Sequence, residues 1–97
     1  MLEIIKQAIE NKNLLEFTYK NQLRIVEPYT YGTNRNGNEL LSAYQIAKES
    51  TSSDKLGWKI FTIDEVNNLK ILKDNFKAIR SEHNFDYLRM SSIFSRV

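Results

Sequence analysis

Ninety-seven residues bound about one small domain, because a second hydrophobic core would not fit. A chain with 41% hydrophobic, 27% charged and 11% aromatic residues is globular rather than disordered, and the lack of cysteine excludes disulfides and thiolate zinc sites. Fourteen Lys and Arg against twelve Asp and Glu leave a net charge of +2, too little to point to nucleic acid by itself, so a basic patch has to come from how the fold distributes charge.

The single histidine, His83, rules out a multi-histidine metal site, and no metal or cofactor is expected. Met1 to Lys6 form no long apolar core and precede no small-residue cleavage site, so no signal peptide is read there. No apolar run approaches the roughly 20 residues that span a bilayer. The expectation is a cytoplasmic protein with no membrane partner.

Along the chain, Leu2, Ile5 and Ile9, with Ile4 and Ala8 beside them, recur at steps of three and four, while Glu3, Lys6, Gln7 and Glu10 fill the other side. This predicts a short amphipathic helix ending near Asn11-Lys12-Asn13 that has to pack on something, because alone it is marginal. Leu15, Phe17 and Tyr19 then alternate with Glu16 and Thr18, a half-buried strand. A tight turn at Asn21-Gln22 leads into a second strand, and the pair reads as a hairpin.

That second strand, Arg24-Ile25-Val26-Glu27-Pro28-Tyr29-Thr30-Tyr31-Gly32, organises the rest. β-Branched and aromatic residues dominate it, and the only proline of the chain sits in its middle. Proline has no N–H for a ladder, so Pro28 belongs at an edge, a bulge or a bend. Asn36-Gly37 is a strong turn dipeptide, and a third strand follows over about Glu39 to Ala47. Lys48 to Gly57, polar and small, reads as a loop. A fourth strand carries Trp58, Ile60 and Thr62 alternating with Lys59, Phe61 and Ile63; a turn at Asp64 to Asn68 precedes a fifth at Leu69 to Leu72, and Phe76 and Ile79 extend it. Asn84 or Asp86 caps a final helix carrying Tyr87, Leu88, Met90, Ile93 and Phe94, with Phe85 as a staple. The expected fold is mainly β: a small, strongly bent, five-stranded antiparallel sheet or barrel with a helix at each end.

In this order, Phe17-Thr18-Tyr19, then Arg24-Ile25-Val26-Glu27-Pro28-Tyr29, then a strand ending Ala43-Tyr44, then Lys59-Ile60-Phe61-Thr62-Ile63-Asp64-Glu65-Val66, the chain resembles the WYL domain family over about residues 4 to 78. Arg24, Pro28 and Tyr29 fall on the family's Arg-x-Val-x-Pro-Tyr strand, and Phe61 and Asp64 on its Arg-x-Phe-x-Leu-Asp-Arg-Ile strand. Lys59 stands at the first arginine of the latter and Glu65 at the second; Glu39-Leu40-Leu41 occupy the place of the Trp-Tyr-Leu tripeptide. The resemblance implies an SH3- or Sm-like β-barrel that acts as a ligand sensor or nucleic-acid binder, usually attached to a helix-turn-helix region, which is not expected in this chain.

Two readings of each candidate residue stand side by side. Arg24 either holds a phosphate, with Lys59 or Arg80 nearby, or faces solvent paired with Glu27 or Glu39; arginine's planar fork suits the former. Tyr29, Tyr31 and Tyr44 either stack a base or fill the core. Trp58, beside the loop, either acts as a lid or partner contact or closes one end of the core. His83, near Ser81, Glu82 and Asp86, fits a surface or capping role better than acid–base chemistry. Asp64 and Glu65 are adjacent, so on a strand they would point to opposite faces and form no carboxylate pair. With no Gly-rich phosphate loop, nucleophile elbow or metal spacing, no catalytic residue is assigned.

The expected function is thus a non-catalytic binding module for an anionic ligand, a single-stranded nucleic acid or a nucleotide. Arg24 and Lys59 neutralise phosphate, Tyr29 and Tyr44 shape the site, and Arg35 adds a loop contact. The alternative is a protein-interaction or structural module, docking a partner or a second copy through barrel edges or the stripe of Leu88, Ile93 and Phe94.

Overall fold

The computed structural model of the chain describes residues 2–48, 55–77 and 90–97. The amphipathic spacing near the N-terminus forms helix α1, Leu2–Asn11, which buries Ile5, Ala8 and Ile9. Lys12 terminates it in the left-handed conformation, φ 55°, with its N–H bonded to the Ile9 carbonyl at 3.3 Å.

Six strands follow among the described residues: β1 (Asn13–Tyr19), β2 (Gln22–Thr33), β3 (Glu39–Lys48), β4 (Gly57–Thr62), β5 (Val66–Asn75) and β6 (Ser92–Arg96). One 3₁₀ turn, Ile63–Glu65, joins β4 to β5 and leaves Asp64 and Glu65 exposed on a turn rather than on a strand. The antiparallel sheet runs β4-β3-β2-β1-β5, with β6 added to β2. Register in the first hairpin pairs Tyr19 with Gln22, so the turn is Lys20-Asn21, one residue earlier than the sequence suggests. Both turn residues have positive φ, 52° and 62°, as a two-residue turn matching strand twist requires. In the next hairpin the Asn34 side chain accepts from the Asn36 and Asn38 N–H groups at 3.0 Å each, and Gly37 takes φ 81°.

β2 is central, and Pro28 sits where a central strand tolerates it. Pairing with β1 ends at Val26, pairing with β6 begins at Thr30, and Pro28 lies in the gap between them. The register with β3 also shifts there, from Pro28↔Ala43 to Thr30↔Ser42, so Tyr29 is the extra residue of a bulge. A bulge changes which face later residues take. Val26 and Tyr31 thereby join the main core, with Phe17, Leu41 and Phe61 and the buried face of α1, whereas Tyr29 joins a second cluster with Leu14 and Phe76 on the other face.

The sheet curls without closing. In a flat sheet β1 and β4, three strand spacings apart, would be separated by roughly 14 Å. Yet the Tyr19 hydroxyl of β1 accepts from the Thr62 N–H at the end of β4 at 3.1 Å, and the Tyr19 and Phe61 rings meet edge to face at 4.9 Å. The expected five-stranded barrel is instead an open, six-stranded sheet whose facing ends are bridged by side chains.

The expected C-terminal helix is also corrected where it is described. Residues 84–89 lie outside the described residues, but Ser92–Arg96 is strand β6 and carries Ile93 and Phe94. A helical spacing of apolar residues is a local signal. Here the edge of β2 left open beyond β1 offers backbone partners, and Gly32 and Thr33 pair with Ile93 and Ser92. No helix among the described residues is long and apolar enough to cross a membrane.

Candidate functional site

α1 covers part of the inner face of the curled sheet and leaves the end near the β1–β2 turn open. A cavity of about 550 Å³ lies there, lined by Tyr19, Lys20, Gln22, Arg24, Lys59 and Phe61, among others, with no helix residue. Each side chain reaches it for a local reason. Tyr19 and Phe61 fall on the inward phase of β1 and β4; Lys59, two residues before Phe61, shares its face. The left-handed Lys20-Asn21 turn brings Lys20 to the rim.

Arg24 is only 5% exposed, although arginine is almost never buried without partners. Its Nη1 donates to the Gln45 Oε1 at 3.1 Å and its Nη2 to the Tyr19 carbonyl at 3.3 Å. The guanidinium also lies over two rings, 5.5 Å from the centroid of Tyr19 and 6.0 Å from that of Phe61. Cation–π attraction and hydrogen bonding thus hold a full positive charge at the cavity wall. Lys20 adds a second cation 5.8 Å from the Tyr19 centroid, and half-buried Lys59 a third. Every charged side chain among the described residues lining this cavity is cationic. Such a set suits an anion.

The structure therefore brings Arg24 and Lys59 to one cavity, but not the two tyrosines grouped with them. Tyr29 is fully buried, donates from its hydroxyl to Glu27 Oε1 at 3.1 Å, and packs at 5.0 Å from Trp58 and 5.1 Å from Phe76. Tyr44, half-buried, meets Trp58 edge to face at 5.4 Å. Both belong to the second cluster, where Trp58 also packs. Arg24 does not face solvent; Glu27 accepts from the Tyr29 hydroxyl, and Glu39 from the Tyr31 hydroxyl at 2.5 Å. Burial, reinforced by the Glu39 carboxylate, raises the Tyr31 hydroxyl well above its ordinary value of 10.0, so that it stays a donor. Arg35 is exposed in the β2–β3 loop, away from the cavity; Arg80 and His83 lie outside the described residues.

Lys20 at the cavity and Gln45 behind Arg24 were not among the residues that the sequence singled out. The signal available for Gln45 was its position: it shares a strand phase with Leu41 and Ala43, where a polar side chain needs partners.

Among the described residues no group of three His, Asp or Glu side chains gathers to hold a metal. Compared with known proteins, the chain matches no family model, no curated protein and no solved structure. The functional reading rests on the cavity itself.

Proposed function

We propose that this chain is a non-catalytic, WYL-like binding module that recognises the phosphate groups of an anionic ligand, a single-stranded nucleic acid or a nucleotide. In this proposal the curled sheet is a variant of the SH3- or Sm-like barrel. The observation that carries the reading is the convergence of Lys20, Arg24 and Lys59 on one cavity. Three positive charges in a concave, partly desolvated site attract phosphate more strongly than the same charges spread over a surface.

The aromatic rings at the site argue for phosphate rather than base recognition. Tyr19 is 8% exposed and Phe61 1%, and Arg24 already lies over both. A base needs an exposed ring face to stack on. Neither ring offers one, and Tyr29 and Tyr44 pack in the second cluster. Recognition by charge alone predicts binding that depends on salt and is indifferent to base identity.

The test is a fluorescence anisotropy titration of an end-labelled single strand at low and moderate salt, with thymine-only and adenine-only sequences. The label belongs on the ligand, because Trp58 packs in the second cluster. Saturable binding of equal strength for both strands, weakened by salt and displaced by pyrophosphate, is the expected result. A protein that takes up neither strand at low salt, and no pyrophosphate, has no such function.

A second reading has its own observation. Leu2, Ile93 and Phe94 are 42%, 39% and 43% exposed, and together with Lys6 and Glu39 they line a groove of about 390 Å³. Its occupant under this reading is a second copy of the chain. Two-fold symmetry would set Lys6 of each copy against Glu39 of the other while the apolar residues meet between them. Mass measured across a concentration series should then rise towards the dimer, and Ile93→Lys should hold it at the monomer. A constant monomer mass at high concentration removes this reading.

A further inference from the structure

We infer that Gln45 is the positioning residue of the cationic cavity, aligning both of its walls through one side-chain amide; this rests on the phosphate-binding reading above. Gln45 is fully buried on β3, opposite Val26 on one side and Gly57 on the other. Its Oε1 accepts from Arg24 Nη1 at 3.1 Å, and its Nε2 donates to the Lys55 carbonyl at 3.0 Å. One end of the amide thus orients the guanidinium that β2 supplies. The other end holds the backbone just before β4, four residues ahead of Lys59.

The choice of residue fits this role and no simpler one. Leu41 and Ala43, on the same phase of β3, are apolar core residues. A leucine or methionine at position 45 would fill similar volume without the cost of burying an amide. Glutamate would still accept from Arg24, but it could not donate to the Lys55 carbonyl, and it would place a negative charge beside the cavity. The glutamine amide satisfies a donor on one side and an acceptor on the other, from two separate atoms, while leaving the charge of the site unchanged. Gly57 supports the same geometry. Its φ of 121°, which L side chains rarely adopt, bends the chain between the Lys55 carbonyl and the start of β4. Gln45 does not line the cavity, so it acts on a ligand through Arg24 and through the path of β4.

The experiment is a double-mutant cycle with pyrophosphate as probe, read by calorimetry. Gln45→Met in the wild-type background is expected to weaken pyrophosphate binding about tenfold; in an Arg24→Lys background, whose ammonium lacks the fork that Gln45 orients, the same change is expected to cost less than about twofold. Equal losses in both backgrounds would mean that Gln45 merely fills the core, and would overturn the inference. Should Gln45→Met fail to fold, Gln45→Glu carries the test. It keeps the bond to Arg24, so it is expected to fold and to bind pyrophosphate at least about tenfold more weakly, with a shallower salt dependence. A folded Gln45→Glu protein that binds like wild type overturns the inference while leaving the phosphate site standing. A wild-type protein that binds no pyrophosphate brings down both.

Discussion

Arg24→Ala is expected to lower stability and ligand affinity together, whereas Lys59→Ala is expected to lower affinity alone. The buried guanidinium donates to the Gln45 Oε1 and the Tyr19 carbonyl and lies over the Tyr19 and Phe61 rings. Truncating it strands buried acceptors and removes both ring contacts, a loss of about 2–4 kcal/mol. For a domain of this size that lowers the melting temperature by roughly 10 °C or more. Half-buried Lys59 carries its charge at the cavity, and its truncation costs less than about 1 kcal/mol of stability. Its effect falls on binding. Affinity for a single strand at low salt drops about five- to tenfold, and the slope of log affinity against log salt becomes shallower by about 0.7 to 1. Thermal melts and titrations at several salt concentrations on the same two proteins check both halves. A melting point untouched in Arg24→Ala contradicts the core role of Arg24; an unchanged salt slope in Lys59→Ala contradicts its contact with phosphate.

The second large effect is expected at Gly32, where β6 crosses β2. A methyl group built there would fall on the carbonyl oxygen of Ser92 and 3.0 Å from the Met90 sulfur. The methionine end can swing away; the backbone of a paired strand cannot. Gly32→Ala therefore has to push β6 off β2, taking with it the edge-to-face contact of Phe94 with Tyr31 at 5.2 Å. The expected loss is at least about 2 kcal/mol. Hydrogen exchange should show faster amides in Ser92–Arg96, with β1 and β4 unaffected. Gly37→Ala is the control: nothing lies within 4 Å of the added carbon, and only its φ of 81° resists, at about 1 kcal/mol. If Gly32→Ala melts no earlier than Gly37→Ala, the close approach of β6 to β2 is wrong.

The residues by themselves determined α1, the first hairpin and most strand positions, because these rest on local periodicity: steps of three and four for Ile5 and Ile9, and alternation for Leu15, Phe17 and Tyr19. They also marked Pro28 as a break in a ladder, since a missing N–H is a property of one residue, and paired Arg24 with Lys59 as candidate phosphate contacts. What only the tertiary structure decided depends on residues far apart in the chain. The bulge at Tyr29 sends Tyr29 and Tyr31 to opposite faces, although their spacing of two reads as one face. The curl that sets Tyr19 against Thr62 forms one cavity from the β1–β2 turn and β4, and so adds Lys20 to Arg24 and Lys59. The open edge of β2 draws Ile93 and Phe94 into a strand where their spacing suggested a helix. Local pattern assigns a residue a phase. Register shifts, sheet curvature and vacant backbone partners decide what that phase faces, and they are set by the whole chain at once.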